Sequence, residues 1–238
     1  MKTFTTPGAT SVDQEVNVVA QLLKRADEAP DHPALSYREG DTFVDVSTSD
    51  MWEMVRDLAA GLVAAGVSKG DRVALHSGTR IEFTYFDYAI WAAGAATTTI
   101  YETSSVEQVK WILSDSGCVA LISENSETYR VYQEVAETIP ACANAFVIDN
   151  GAVEKLRSMA TDATRAEVDS RVSNIAHNDL ATLVYTSGTT GMPKGCELTH
   201  LNFAWEVTQV EGSLAELVGE GNRTLMFLPL AHIFARLV

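Results

Sequence analysis

Between Thr186 and Lys194 the chain collects the hydroxyls of Thr186, Ser187, Thr189 and Thr190, the free backbones of Gly188 and Gly191, and one ammonium. This is material for holding a polyphosphate. Glycine lets backbone N–H groups approach closely, hydroxyls add donors, and lysine adds positive charge. An apolar, strand-like run, Leu180 to Tyr185, leads into it. The stretch is not a Walker loop, which needs Gly-Lys followed by Ser or Thr, because Pro193 precedes Lys194 and Gly195 follows it. Nor is it Gly-x-Gly-x-x-Gly, so a dinucleotide-binding turn is a poor reading. The bland alternative is a Gly/Thr-rich surface loop that binds nothing. The run of small polar residues closed by Pro-Lys-Gly after a buried strand argues against it.

Tyr185 to Gly195 resembles, almost letter for letter, the phosphate-binding loop of the adenylate-forming superfamily, which holds acyl-CoA ligases, peptide-synthetase adenylation domains and luciferases. Cys196-Glu197-Leu198-Thr199-His200 is similar to the long-chain fatty acid–CoA ligase branch. So is Phe227-Leu228-Pro229-Leu230-Ala231-His232-Ile233-Phe234-Ala235-Arg236. A weaker echo runs from Trp91-Ala92-Ala93-Gly94-Ala95 through Ser104 to Gly117. The likeness covers most of the chain from about Leu35 onward, and only the phosphate loop is sharply specific.

The resemblance implies a two-step reaction. A fatty carboxylate attacks the α-phosphate of ATP, giving an acyl-adenylate and pyrophosphate; the thiol of coenzyme A then displaces AMP. It implies that Gly188 and Gly191 let the backbone reach the phosphates, that Thr186, Ser187, Thr189 and Thr190 donate hydrogen bonds, and that Lys194 meets the leaving pyrophosphate. Thr186 would also touch Mg2+. His232 would lie near the carboxylate and α-phosphate, although a lone histidine in an apolar run is by itself more often structural. The family's adenine block, ribose-binding aspartate, hinge and mobile C-terminal domain find no match before Val238. The chain alone is therefore expected not to turn over. Two other readings stay open: another adenylate-forming enzyme, such as a fatty acyl-AMP ligase or adenylation domain, and a non-catalytic fragment that only binds nucleotide or self-associates.

Other polar residues read more plainly. His32, His76 and His177 show no metal spacing, and His200 begins a helix. Glu211, Glu216 and Glu220 look like a solvated face and turn. Trp91, Trp111 and Trp205 sit on expected helices as core or half-buried packing. Cys118 and Cys142 border apolar runs as inert thiols, and with Cys196 they make neither a disulfide framework nor a zinc pattern. A reducing cytoplasm is the natural compartment.

The elements expected to position the loop alternate along the chain. Val16, Val19, Leu22 and Leu23 recur at helical spacing before Pro30 and Pro33. Ala34–Tyr37 and Thr42–Val46 form a hairpin through Glu39-Gly40-Asp41. Ser47 and Asp50 start a helix that Gly66 ends. Strands follow at Val73–Leu75, Ala95–Tyr101, Val119–Ile122 and Phe146–Ile148. Helices follow at Arg80–Ala93, from Ser104-Ser105 to Gly117, and at Asn125–Thr138. Residues 151–178 form a polar crossover with weak helical character. Leu201–Val218 is a helix and Arg223–Leu228 a further strand. Strands alternating with helices of this length define an α/β fold: right-handed βαβ units in a parallel sheet, with helices on both faces. The expected organisation is a flexible tail over 1–11, a first α/β subdomain over 12–178, and the phosphate-loop strand, helix and start of a second subdomain over 179–238.

With 238 residues, 46% of them hydrophobic and 21% charged, the chain buries a large core. Its net charge of −15 and lack of basic runs exclude a nucleic-acid role, which needs clustered Lys and Arg. The longest apolar run, Tyr88 to Ala96, is far short of the roughly 20 residues a membrane span needs. Peripheral membrane contact of a parent enzyme remains compatible with this. The apolar runs at 225–230 and 233–238 have nothing after them to bury them. They raise the expectation of a truncated product that forms dimers or domain swaps.

Overall fold

The structure, a computed structural model, describes residues 17–186, 192–218 and 221–236. The expected tail over 1–11 lies outside them, as does Val16. Helix α1 (Val18–Glu28) buries Val19 and Leu22, and Asn17 caps it by accepting the Ala20 N–H. Strands β1 (Pro33–Glu39) and β2 (Thr42–Ser47) make the expected antiparallel hairpin. Ser47 then opens α2 (Thr48–Ala64): its hydroxyl oxygen accepts the Asp50 N–H and its proton goes to the Asp50 carboxylate.

The remaining strands are β3 (Arg72–His76), β4 (Ala96–Ile100), β5 (Ala120–Ser123), β6 (Asn144–Val147), β7 (Leu180–Thr186) and β8 (Lys194–Thr199). They form one sheet in the order β6-β5-β3-β4-β7-β8, parallel throughout except for the last pair. Between them lie α3 (Ile81–Ala92), α4 (Val106–Ser116), α5 (Ser126–Gln133), α6 (Ala152–Met159), α7 (Asp162–Ser173) and α8 (His200–Val218).

Successive strand residues point to opposite faces, with the alternation in β7 shifted by an irregularity between Leu180 and Thr182. Val73, Leu75, Ala120, Ile122 and Ala181 pack into one core with α1, α2, α3, α6 and α7. Ala74, Leu121, Leu183 and Tyr185 pack into a second core with α4 and α5. The sheet is thus buried on both sides, as the near-continuous apolar strands require. On the first face α2 meets α6 closely: a Cβ on Gly61 would come within 2.2 Å of the Leu156 carbonyl oxygen, so only glycine fits there.

Several expectations need correction. Arg223–Leu228 is not a strand; among the described residues it has no partner strand, and Arg223 instead reaches β2 with a fork onto Asp45 at 2.7 and 2.8 Å. The helix expected over Asn125–Thr138 stops at Gln133, and a short 3-10 turn, Ala136–Thr138, follows it. The crossover over 151–178 contains two full helices, α6 and α7, the second begun by a capping box between Thr161 and Thr164. β8 was not expected: its polar, exposed pattern carries no alternation, and only pairing with β7 makes it a strand. Strand β7, placed at the start of the second expected subdomain, is hydrogen-bonded to β4.

Two buried histidines generate a pH dependence. His76 ends β3 and His200 begins α8, and burial pushes each ring down to about 4. Both are neutral in the folded chain, whereas the unfolded chain protonates them as pH falls through about 6.5. Their contribution is therefore whole above pH 6.5 and is lost as pH drops toward 4, on the order of 3 kcal/mol each. Carboxylates held low by ion pairs, such as Asp45 hydrogen-bonded to Arg223, add their losses only at lower pH. Urea midpoints are expected to fall steadily from pH 6.5 to 4.5, with a shallower fall in His200→Gln. A flat profile would mean that the rings are charged in the folded protein.

Candidate functional site

The site is built from two chain segments brought to one edge of the sheet. The first is the β7–β8 hairpin. β7 is buried from Ala181 to Tyr185, apolar but for Thr182, and its last residue, Thr186, emerges exposed. Lys194, the first residue of β8, pairs directly with Thr186 across the ladder and is also exposed. A hydroxyl and an ammonium thus stand opposite each other at the carboxyl edge of the parallel strands, where open α/β sheets bind ligands. Ser187, Gly188, Thr189, Thr190 and Gly191 lie outside the described residues. They join these two legs, so the candidate loop closes an antiparallel hairpin rather than leading straight into a helix. Gly195 lies close under the Tyr185 ring on the return leg: a Cβ there would meet the ring at 3.1 Å, and the ring would have to shift to admit it.

The second segment carries His232. The Thr79 hydroxyl, beyond β3, donates to Leu228 O at 2.7 Å and accepts the Leu230 N–H at 3.1 Å. The Thr99 hydroxyl on β4 donates to Ala231 O at 2.9 Å. Thr99 pairs with Val184 of β7, two residues before Thr186, so the His232 turn sits on the strand next to the hairpin and at the same edge. His232 itself is exposed. Its Nδ1 accepts the Phe234 N–H at 3.3 Å, which leaves the neutral ring's proton on Nε2, poised to donate to an anion.

An ion pair fixes this turn from below. Arg236 forks onto Asp87 of α3 at 2.8 and 2.6 Å and donates to Thr182 of β7 at 2.8 Å. Its side chain is 2% exposed and that of Asp87 6%. The guanidinium also lies 5.3 Å from the ring centroids of both Trp91 and Phe203. Arg236 therefore ties the His232 turn to the strand that bears Thr186. Sequence reading missed this function for Arg236, Asp87, Thr79 and Thr99. The available signal was weak: one acid on an otherwise apolar face of α3 and one arginine at the end of an apolar run.

The remaining candidates keep structural places. His200 is 2% exposed beside Asp179 at the foot of α8. Glu211 and Glu216 are exposed, and Glu220 lies outside the described residues. Cys118 and Cys142 are buried, and burial pushes the Cys142 thiol up to about 12. Trp91 is core, Trp111 is half-buried, and Trp205 is half exposed. Among the described residues no group of three His, Cys, Asp or Glu could hold a metal ion. Among them also, no helix is long and apolar enough to cross a membrane.

A mostly parallel sheet with helices on both faces makes this an α/β protein, with a hydroxyl–ammonium pair at the carboxyl edge and an imidazole docked on the adjacent strand. The sequence profile of the AMP-binding enzyme family matches residues 22–238, and the chain belongs to that family. It is 36% identical over its whole length to the long-chain-fatty-acid–CoA ligase FadD15 of Mycobacterium bovis and, equally, to that of Mycobacterium tuberculosis. It spans 40% of the length of these relatives. Its fold superimposes on the N-terminal domain of FACL13 from Mycobacterium tuberculosis with a TM-score of 0.75 at 30% identity, covering 93% of this chain and 53% of that one. FadD1 of Archaeoglobus fulgidus, a long-chain-fatty-acid–CoA ligase 20% identical, shares the fold at a TM-score of 0.75 over 95% of this chain and 44% of that one.

The Arg236–Asp87 pair should be unforgiving of half-removal. Asp87→Ala strands a buried guanidinium and is expected to destabilise the chain by about 3 kcal/mol, whereas Asp87→Leu with Arg236→Met should lose far less. Urea denaturation of the single and double variants checks this. Equal losses in both would show that shape rather than charge pairing holds the turn.

Proposed function

We propose that this chain forms the phosphate-gripping part of an ATP-dependent long-chain fatty acid–CoA ligase, an acid–thiol ligase. The substrates are a long-chain fatty acid, ATP and coenzyme A. The observation that carries the reading is the pairing of Thr186 with Lys194 beside the turn bearing His232. The FadD15 relatives, which bear the ligase name across this chain's whole length, support it.

In the first half-reaction the fatty carboxylate oxygen bonds to the α-phosphorus of ATP, and the bond to the bridging oxygen of pyrophosphate breaks. Little covalent help is needed; the two anions must be held in line and the growing charge neutralised. Lys194 meets the charge that develops on the leaving pyrophosphate. Thr186, with Ser187, Gly188, Thr189, Thr190 and Gly191 of the loop, holds the β- and γ-phosphates. His232 donates from Nε2 to a carboxylate or α-phosphate oxygen. In the second half-reaction the coenzyme A thiol attacks the acyl carbon and AMP leaves.

Magnesium fits this set only as a partner of the nucleotide. The described residues offer it the Thr186 hydroxyl and no carboxylate cluster, so the phosphates would supply most of its oxygen ligands. The ion would neutralise phosphate charge. A reducing cytoplasm suits the buried free thiols. The exposed Leu225, Phe227 and Phe234 would suit self-association or contact with a membrane surface.

In a polypeptide of the relatives' full length that carries this chain, Lys194→Ala is expected to slow ATP–pyrophosphate exchange about 10- to 100-fold with little change in melting temperature. His232→Ala should lower the exchange rate more than it raises the KM for ATP. Exchange that is unaltered in Lys194→Ala would remove the lysine from the site.

A further inference from the structure

Helix α4 touches both legs of the hairpin. The Trp111 indole N–H donates to Pro193 O at 2.8 Å, and the Tyr185 hydroxyl donates to Asp115 Oδ2 at 2.6 Å. Trp111 and Asp115 are four residues apart and share one helix face. Pro193 directly precedes Lys194, and Tyr185 directly precedes Thr186. Among the described residues the last rung of the ladder is Thr186 with Lys194, and the Pro193 carbonyl, next to it, takes a side-chain donor. Trp111 supplies it. Tyr185 pairs with Gly195, and its ring lies over that glycine. The placement of Thr186 and Lys194 thus depends on how firmly the two legs are held.

We propose that Trp111 and Asp115 are positioning residues for the triphosphate: they set the spacing and orientation of Thr186 and Lys194 without touching the ligand. The proposal rests on the phosphate role of the hairpin given above. An ordinary packing role does not account for it. Both contacts are directional hydrogen bonds, one to each leg, and each lands next to a residue of the candidate site.

The test is titration of this chain with inorganic tripolyphosphate, followed through backbone amides and the tryptophan indole N–H groups by NMR. Trp111→Phe keeps the ring and removes the donor. It should weaken tripolyphosphate binding about fivefold, the value of one hydrogen bond. Combined with Lys194→Ala, the further loss from Trp111→Phe should shrink below about twofold, because Trp111 acts through the lysine it places. Without ligand, the Lys194 and Gly195 amides should exchange faster in Trp111→Phe. Should that variant fail to fold, Asp115→Asn, which is isosteric and acts on the other leg, is read in the same way and should weaken binding less than Asp115→Ala. Unchanged affinity in folded variants, or fully additive losses, overturns the role of α4 while leaving the hairpin's phosphate role standing. Absence of tripolyphosphate binding by the unsubstituted chain overturns that phosphate role, and the positioning role with it.

Discussion

Strand β7 is held on both edges, parallel to β4 and antiparallel to β8, and this double pairing governs the rest of the molecule. A strand paired on both sides cannot shift by one residue without breaking two ladders and swapping the cores its side chains fill. Ala181 packs against one core and Leu183 and Tyr185 against the other, because the ladder with β8 is irregular between Leu180 and Thr182, and both cores hold the strand in this register. The exposed position of Thr186 follows from that register, and the position of Lys194 follows from Thr186. The chemistry of the hairpin thus inherits its geometry from packing several residues away.

The His232 turn depends on the same strand by a different route. Its contacts are polar: two threonine hydroxyls to backbone, and the buried Arg236 fork that bridges α3 and β7. Buried ion pairs seldom add net stability, but they specify one arrangement sharply, because misplacement leaves a charge unpaired in a dry environment. The bridge therefore sets the turn relative to β7. Apolar contact alone would allow sliding at this edge, where Phe227 and Phe234 remain exposed.

Much of this was legible in the sequence, for reasons that can be named. The cap of α4 at Ser105 and its end at the left-handed Gly117 are local events, decided by a side chain and the backbone within a few residues. The parallel strands read as apolar runs because they are covered on both faces. β8 was not legible, since Lys194 to Thr199 is an exposed edge whose strand character comes from its neighbour. Arg223–Leu228 failed in the opposite sense: its composition favours a strand, yet among the described residues it joins no ladder, and Arg223 reaches the neighbouring β2 by its side chain alone.

The sequence by itself determined the candidate loop's composition, the order of the βαβ units and the termini of most helices. All of these depend on residues close together in the chain. Only the tertiary structure decided that Thr186 faces Lys194, that the His232 turn docks on β4, and that Trp111, Asp115, Asp87 and Arg236 hold these parts in place. Those contacts join residues far apart along the chain, and a hydrogen bond between such residues leaves no periodic mark in the sequence. It exists because the sheet has already brought its partners together.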